Sequence, residues 1–302
     1  MATRVARTGP QLGLLAIAVF FISTSAPLIA ATTAPALGIA FWRTALGATA
    51  TAPWAVARHR RELVGLDRRR LLLAVAAGVL LAAHFATWIP SLRYTSVASS
   101  TALVATQPIW AALLARARGV RFGAGVWLGI VVSLVGILVL TGIDLSLDPR
   151  ALFGDALALV GAMLAAAYVT VGERVRQDVS TANYTLIAYS SAALSLLALS
   201  SLLGIQLWGY STRDWLLILT LTVLAQLLGH SLISATLRTT SATMTSIGIL
   251  FEMPLATLMA AVFLGQWPPL AVLPALGLLL VGTAMVVRSG AAASRVLPDS
   301  PT

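Results

Sequence analysis

A single acidic side chain lies near the middle of a strongly apolar stretch, residues 237–265. The length and composition of the stretch indicate a membrane-spanning helix, which places this residue, Glu252, at bilayer depth. A carboxylate there costs roughly 2.5 to 3.5 kcal/mol on insertion scales, so such residues usually face a polar cavity or pathway. Glu252 is therefore a candidate for binding a substrate amine or a proton, and the alternative is a structural carboxylate paired with a neighbouring helix. Pro254 follows two residues later and frees a backbone carbonyl one turn earlier.

Other polar side chains recur at helical spacing in apolar stretches. Gln226, His230 and Ser234 are four residues apart, so they form one ridge on a helix. The ridge could line a translocation path, or it could hydrogen-bond to other helices at under about 2 kcal/mol per contact. The remaining candidates for substrate binding or translocation are His84, Trp88, Trp110, Thr106, Gln107, Arg43 and Tyr189.

For three of these candidates, a purely structural role is the alternative to substrate binding. Arg43, inside an apolar stretch, could be the counter-ion of a substrate carboxylate or of Glu252, or a structural arginine tied to backbone carbonyls. Trp88 and Trp110 could stack on an aromatic or cationic ligand, or simply pack between helices.

The residues indicate no catalytic, cofactor or metal site. The three histidines, His59, His84 and His230, lie in separate segments, and cysteine is absent, so no metal-ligand cluster is expected. No nucleophile–base constellation and no GxxxxGK[ST] phosphate loop occurs in the sequence. An integral membrane enzyme and a non-transporting membrane scaffold or sensor are the alternatives to a transporter.

The composition is that of a polytopic membrane protein. Of the 302 residues 59% are hydrophobic and only 10% are charged, whereas a soluble domain has about a quarter charged residues. At roughly 20 apolar residues per span, the chain has room for about ten helices. The expected spans are 12–30, 34–57, 71–91, 95–115, 122–142, 152–172, 181–204, 214–236, 240–264 and 268–288.

The distribution of basic residues predicts the topology. All twenty basic residues are arginine, and most fall in every second loop between the expected helices, which predicts cytoplasmic termini and a short cytoplasmic tail, residues 291–302. The cluster His59–Arg70 could be a nucleic-acid patch, but a cytoplasmic loop beside anionic lipid explains it better. We therefore expect the lipid bilayer and no nucleic acid as a partner, and the plasma (inner) membrane as the location.

The two halves of the chain resemble each other at a displacement of 146 residues. The break near residues 142–150 gives a first repeat, 1–142, and a second repeat, 150–290. Because each repeat has five helices, the second copy enters the membrane from the opposite side. We predict an all-α polytopic membrane protein with ten transmembrane helices as two inverted five-helix repeats, which is typical of alternating-access transporters. The matched pairs are Arg43 with Tyr189, His84 with His230, Pro108 with Pro254, Gly119 with Gly265, and Gly136 with Gly282.

Several segments carry a family pattern: 34–43 in the second helix, 92–110 in the fourth, 128–137 in the fifth, Gly154-Asp155 opening the sixth, and 252–254 with 264–265 in the ninth. Over nearly the whole chain these segments resemble EamA-type permeases of the drug/metabolite transporter superfamily. The chain departs from that pattern where members often end helices four and nine in Gly-Glu, since it has Gly119-Val120 and Gly265-Gln266 there.

The resemblance implies a ten-helix carrier that moves a small metabolite, commonly an amino acid or a related amphiphile. Together with the repeat, it predicts a secondary transporter with export as the favoured direction, alternating access around a midplane cavity. A proton-coupled carrier, an exchanger and a uniporter all fit the sequence. The sequence is also compatible with any oligomeric state. The glycines of helices five and ten are interpreted as close-packing positions: Gly125, Gly129, Gly136, Gly277 and Gly282.

Overall fold

The computed structural model describes residues 8–229, 232–233 and 248–294, and within these ranges it contains helices and no strand. The α-helices are α1 Thr8–Ser23, α2 Ser25–Ala31, α3 Ala36–Val64, α4 Arg68–Ser91, α5 Val97–Val104, α6 Gln107–Ala117, α7 Ala124–Leu147, α8 Ala151–Arg176, α9 Thr181–Leu202, α10 Thr212–Leu221, α11 Glu252–Leu264 and α12 Leu273–Ser294. A π-helical segment, Thr222–Gly229, continues α10, and a 3₁₀ turn, Leu270–Val272, precedes α12.

Side-chain caps fix where several of these helices begin. The residue before the helix accepts a hydrogen bond from a backbone N–H of the first turn, which would otherwise have no partner. Asp67 caps α4 in this way, Ser96 caps α5, Ser180 caps α9 and Ser211 caps α10. A glycine fixes the C-terminal end of α11. The cap residue Gly265 has a φ of 68°, which suits a residue without Cβ.

Eight helices of the described part are long and apolar enough to cross a membrane. The two remaining expected spans do not meet this requirement of length and apolar character, for two different reasons. The second expected span is α3, which is 29 residues long but contains Arg43, and the described part of the ninth is α11, with only 13 residues. An all-α protein with many membrane-spanning helices is confirmed, and the count of ten stays a prediction.

The helices pack in pairs that map onto each other when the two halves are exchanged. α3 packs against α9 and α7 against α12, so that each of these helices meets its own counterpart from the other half, and α5 packs against α11, the counterpart of α6. α4 packs against α8, and the equivalent contact joins α1 to the π-helical segment. This is the pattern expected of two copies related by a two-fold axis.

Glycines allow α7 and α12 to approach closely. A Cβ at Gly129 would lie 2.7 Å from the carbonyl oxygen of Gly282, and one at Gly282 would lie 2.6 Å from the backbone nitrogen of Ser133. Gly125 and Gly136 also face close neighbours on α12. The same interpretation of Gly277 is wrong, because a Cβ there would meet no atom within 4 Å.

At one end of the bundle, the N-terminus of α9 is tied to the first half of the chain. We call this the arginine-rich end, defined by residues 58–70, 116–121 and 174–176. The carboxylate of Glu62 accepts a 2.6 Å hydrogen bond from the backbone N–H of Ser180, and Arg70 forms an ion pair of 3.1 Å with Asp178. Burial disfavours the Glu62 carboxylate, but the hydrogen bonds from Ser180 and Asn183 and the nearby His59 together outweigh it, so the pKa of Glu62 lies below its usual value.

At the opposite end, the N-terminus of α3 is tied to the second half in an equivalent way. The carboxylate of Asp214 accepts hydrogen bonds from the backbone N–H of Thr33 at 2.8 Å and from its hydroxyl at 2.7 Å. The indole N–H of Trp42 donates to the carbonyl of Leu207 at 2.7 Å. A displacement of 146 residues brings Thr33 to position 179, beside Asp178, so the two ties occupy corresponding places in the two halves.

Candidate functional site

A cavity of about 140 Å³ lies where α4, the junction of α5 and α6, and the start of α11 meet. It therefore lies between the two halves of the chain, since α4 to α6 belong to the first and α11 to the second. Its wall is formed by Trp88, Thr101, Val104, Ala105, Gln107, Pro108, Ile249, Leu250, Glu252 and Met253.

Two prolines explain why the helices are interrupted at the cavity. Pro108 has no N–H, so the carbonyl of Val104, one turn earlier, has no helical partner, and Pro254 has the same effect on the carbonyl of Leu250. No described N–H donates to either carbonyl. Val104 and Leu250 both belong to the cavity wall, so each half of the chain contributes one wall residue whose carbonyl has lost its helical partner. The pattern of matched prolines contained this signal, although only the carbonyl before Pro254 was expected to matter.

Glu252 is the ionisable residue on the described wall of the cavity. It is the first residue of α11, where the positive end of the helix dipole favours a carboxylate. Its carboxylate makes no hydrogen bond or ion pair within the ranges that the structure describes. It interacts electrostatically with Arg43 across a longer distance. Glu252 is thus a partly buried acid whose oxygens are available to a ligand.

Arg43 lies behind the cavity wall and is held by other groups. It is 2% exposed, its Nε donates to Oε1 of Gln226 at 2.8 Å, and a terminal nitrogen lies 3.4 Å from the Ser25 hydroxyl. The guanidinium also lies 4.3 Å above the ring of Phe85. These contacts hold Arg43 through side chains and not through the backbone carbonyls of the structural alternative, and the interaction with Glu252 accompanies them, so both interpretations of Arg43 stay predictions.

Tyr189 belongs to the same group behind the wall. A Cβ at Gly47 would lie 2.6 Å from the Gln226 amide nitrogen and 3.1 Å from the Tyr189 ring. The glycine therefore provides the space in which these two side chains from the second half meet α3. The Gln226 amide nitrogen is buried and has no partner among the described residues.

His84 and Trp88 form a stacked pair on α4. Their ring centroids are 5.5 Å apart with an interplanar angle of 10°. His84 Nδ1 lies 2.9 Å from the carbonyl oxygen of Gly161 on α8, and because a carbonyl only accepts, this nitrogen carries the hydrogen. Trp88 reaches the cavity wall, and its indole N–H is buried without a partner in the described part of the chain.

Thr106 and Trp110 contact each other and do not line the cavity. The indole N–H of Trp110 donates to the Thr106 hydroxyl at 3.1 Å, and that hydroxyl donates to the carbonyl of Leu103 at 2.6 Å. Thr106 is completely buried. Their four-residue spacing indicated a shared helix face correctly, but the bond joins the two side chains to each other.

The candidates that the structure describes fall into four groups, one of which is the pair of Thr106 and Trp110. Glu252, Trp88 and Gln107 line the cavity, whereas Arg43, Gln226 and Tyr189 form a buried polar group behind it. His84 supports Trp88. His230 and Ser234 lie outside the described residues. The wall residues that the sequence reasoning did not select are Thr101, Val104, Ala105, Ile249, Leu250 and Met253.

Comparison with known proteins identifies the family and the fold of the chain. The profile of the EamA-like transporter family matches it twice, over residues 10–142 and 152–288. One solved structure, titled "Crystal structure of protein", is 18% identical, covers 93% of this chain and 98% of its own, and has a TM-score of 0.64, which shows a shared fold. No curated protein matches the chain. Because the two profile matches cover nearly the whole sequence, one per repeat, the chain belongs to the EamA-like transporter family of the drug/metabolite transporter superfamily, as its sequence patterns predicted.

Proposed function

We propose that the protein is a secondary transporter of a small metabolite, such as an amino acid or a related amphiphile, with alternating access around the cavity at Glu252. The observation that carries the proposal is the position of the cavity. It lies between the two halves, at a proline-interrupted helix from each. Discontinuous helices that meet at a repeat interface are the usual substrate sites of secondary transporters.

The size of the cavity supports a small substrate. A volume of about 140 Å³ is close to the roughly 150 Å³ of an engineered protein cavity that binds benzene. The cavity therefore suits a single small molecule or the head of a longer amphiphile. As a member of a transporter family, the chain is expected to move its ligand across the membrane without converting it.

The proposal includes the membrane and the orientation. Ten helices as two inverted five-helix repeats, residues 1–142 and 150–290, would place both termini on the arginine-rich side, which is the cytoplasmic side by the distribution of arginine. Export from the cytoplasm across the plasma membrane is the direction we propose. Glu252, Trp88 and Gln107 would contact the substrate, and the group around Arg43 would support them from behind.

Transport by purified protein in vesicles tests this function. Glu252→Gln removes the charge and keeps the size, so uptake or counterflow of radiolabelled substrates should be abolished while the protein still inserts in the membrane. The matched control is Glu173→Gln, the same change at an exposed position of α8. Unchanged kinetics in Glu252→Gln would remove Glu252 from the site, and vesicles that move no tested amine, amino acid or amphiphile faster than empty vesicles would overturn the function.

A further inference from the structure

The wall of the cavity is rich in hydrogen-bond acceptors. Resting on the transport function above, we propose that the cavity selects amines with a net positive charge over zwitterions, so that the substrate carries an ammonium group and no carboxylate. The juxtaposition behind this proposal is the Glu252 carboxylate, which has no described partner, on the same cavity wall as Val104 and Leu250, whose backbone carbonyls have lost their helical partners.

The acceptors match an ammonium group in number and kind. A protonated primary amine has three N–H donors and no acceptor. The carboxylate of Glu252 supplies charge, and the carbonyls of Val104 and Leu250 supply dipoles whose negative ends have no other described partner. The Thr101 hydroxyl donates its own hydrogen to the carbonyl of Val97 at 2.6 Å, so towards a ligand it can only accept.

A basic group for a substrate carboxylate is missing from the described wall. None of the described residues that line the cavity is Arg or His. Arg43 lies behind the wall, and its guanidinium is already held by Gln226, Ser25 and the face of Phe85. A ligand carboxylate would therefore meet Glu252 with no basic group on the described wall to bind it, since Arg43 acts on the site only over a longer distance, which disfavours zwitterions.

Helix dipoles do not reverse this preference. α6 and α11 both begin at the cavity, and the positive end of a helix attracts anions. Glu252 already occupies the first turn of α11, and Pro108 removes one N–H from the first turn of α6. Trp88 adds to the preference for cations, because it belongs to the cavity wall and an indole ring attracts a positive charge.

The preference can be tested with pairs of compounds, each an amino acid and the amine formed by its decarboxylation. Binding of tyramine and tyrosine, phenethylamine and phenylalanine, and putrescine and ornithine is measured on the full-length protein by thermal shift and by counterflow in vesicles. Tyrosine methyl ester is included because it restores a net positive charge at nearly constant shape. We expect each amine that binds, and the ester, to bind roughly tenfold or more tightly than its zwitterionic or carboxylate-bearing parent.

Two variants of Glu252 and one control variant connect the preference to the site. Glu252→Gln should reduce the preference for amines to less than about twofold, Glu252→Asp should retain it, and Glu173→Gln should leave it unchanged. Parents that bind as well as their amines, or an absence of binding by every amine while amino acids are transported, would overturn this inference and leave the transport function intact. Vesicles that transport neither class would overturn the transport function itself and this inference with it.

Discussion

The Nε of Arg43 donates a 2.8 Å hydrogen bond to Oε1 of Gln226, and this bond joins the first half of the chain to the second. Both side chains are 2% exposed. A buried arginine is tolerated only where other groups satisfy its donors. The bond therefore explains how α3 carries a positive charge next to apolar helices.

Replacement of Gln226 should destabilise the protein. Gln226→Leu keeps the approximate volume but removes the acceptor of a charged donor, so we expect a loss of about 1.5 to 3 kcal/mol in the free energy of unfolding. Thermal unfolding in detergent measures this loss. Gln177→Leu, at an exposed position, is the control and should have little effect. Equal losses in the two variants would contradict the role of the bond.

Two glycines of the same helix, α12, should respond differently to alanine. Gly282→Ala places a methyl group against the backbone of α7, at 2.6 Å from the nitrogen of Ser133, so stability should fall by about 1 to 3 kcal/mol. Gly277→Ala meets no atom within 4 Å and should be neutral or slightly stabilising. The melting temperatures of the two variants test this difference. The prediction is wrong if Gly277→Ala lowers the melting temperature more than Gly282→Ala does.

Restoration of a backbone N–H in α11 should impair transport more than stability. In Pro254→Ala, the new N–H can bond to the carbonyl of Leu250, which withdraws one acceptor from the cavity wall. We expect weaker amine binding at unchanged or higher melting temperature. Pro53→Ala, at an exposed position in α3, controls for a general effect of proline removal. Unaltered amine binding in Pro254→Ala would show that the freed carbonyl is not used.

The orientation can be measured by cysteine labelling, because the chain has no native cysteine. Val120→Cys lies at the arginine-rich end, and Leu203→Cys lies at the opposite end, both at exposed positions. In intact cells a membrane-impermeant maleimide should label Leu203→Cys, and it should label Val120→Cys only after permeabilisation. The reverse pattern would place the termini outside.

The tie between Glu62 and Ser180 should be lost only in acid. Since the pKa of Glu62 is lowered in the folded protein, its contribution is present above the unfolded pKa of about 4.3 and disappears as the pH falls through the lower folded value. Glu62→Gln should therefore cost about 1 kcal/mol between pH 6 and pH 8, with no trend in that range. The difference from wild type should vanish once the pH has fallen below the folded pKa of Glu62. A difference that grows in acid would contradict the assignment.

The sequence was informative about what each helix contains and less so about how each helix is rotated in the bundle. The membrane cost of an acid and the repeated proline identified Glu252 and its surroundings, because both effects act within one helix. The two interpretations of Arg43 both stay predictions, and its bond to Gln226, 183 positions away, could not be foreseen from one helix alone. The prediction that Gly277 is a close-packing position was wrong, because the presence of a glycine does not show whether its helix face meets another helix. The spacing of Thr106 and Trp110 likewise did not reveal that they bond to each other.

The ties at the two ends of the α3 and α9 pair differ in burial. Asp214, at the opposite end, is 3% exposed, whereas at the arginine-rich end the side chains of Arg70, Asp178 and Glu62 are 45%, 55% and 32% exposed. An exposed ion pair contributes at most about 1 kcal/mol, while each hydrogen bond to a buried carboxylate contributes about 1.5 to 3 kcal/mol. We therefore expect the resting population to favour molecules closed at the Asp214 end and loaded from the arginine-rich side. An unloaded carrier would then wait for its substrate on the side from which export begins.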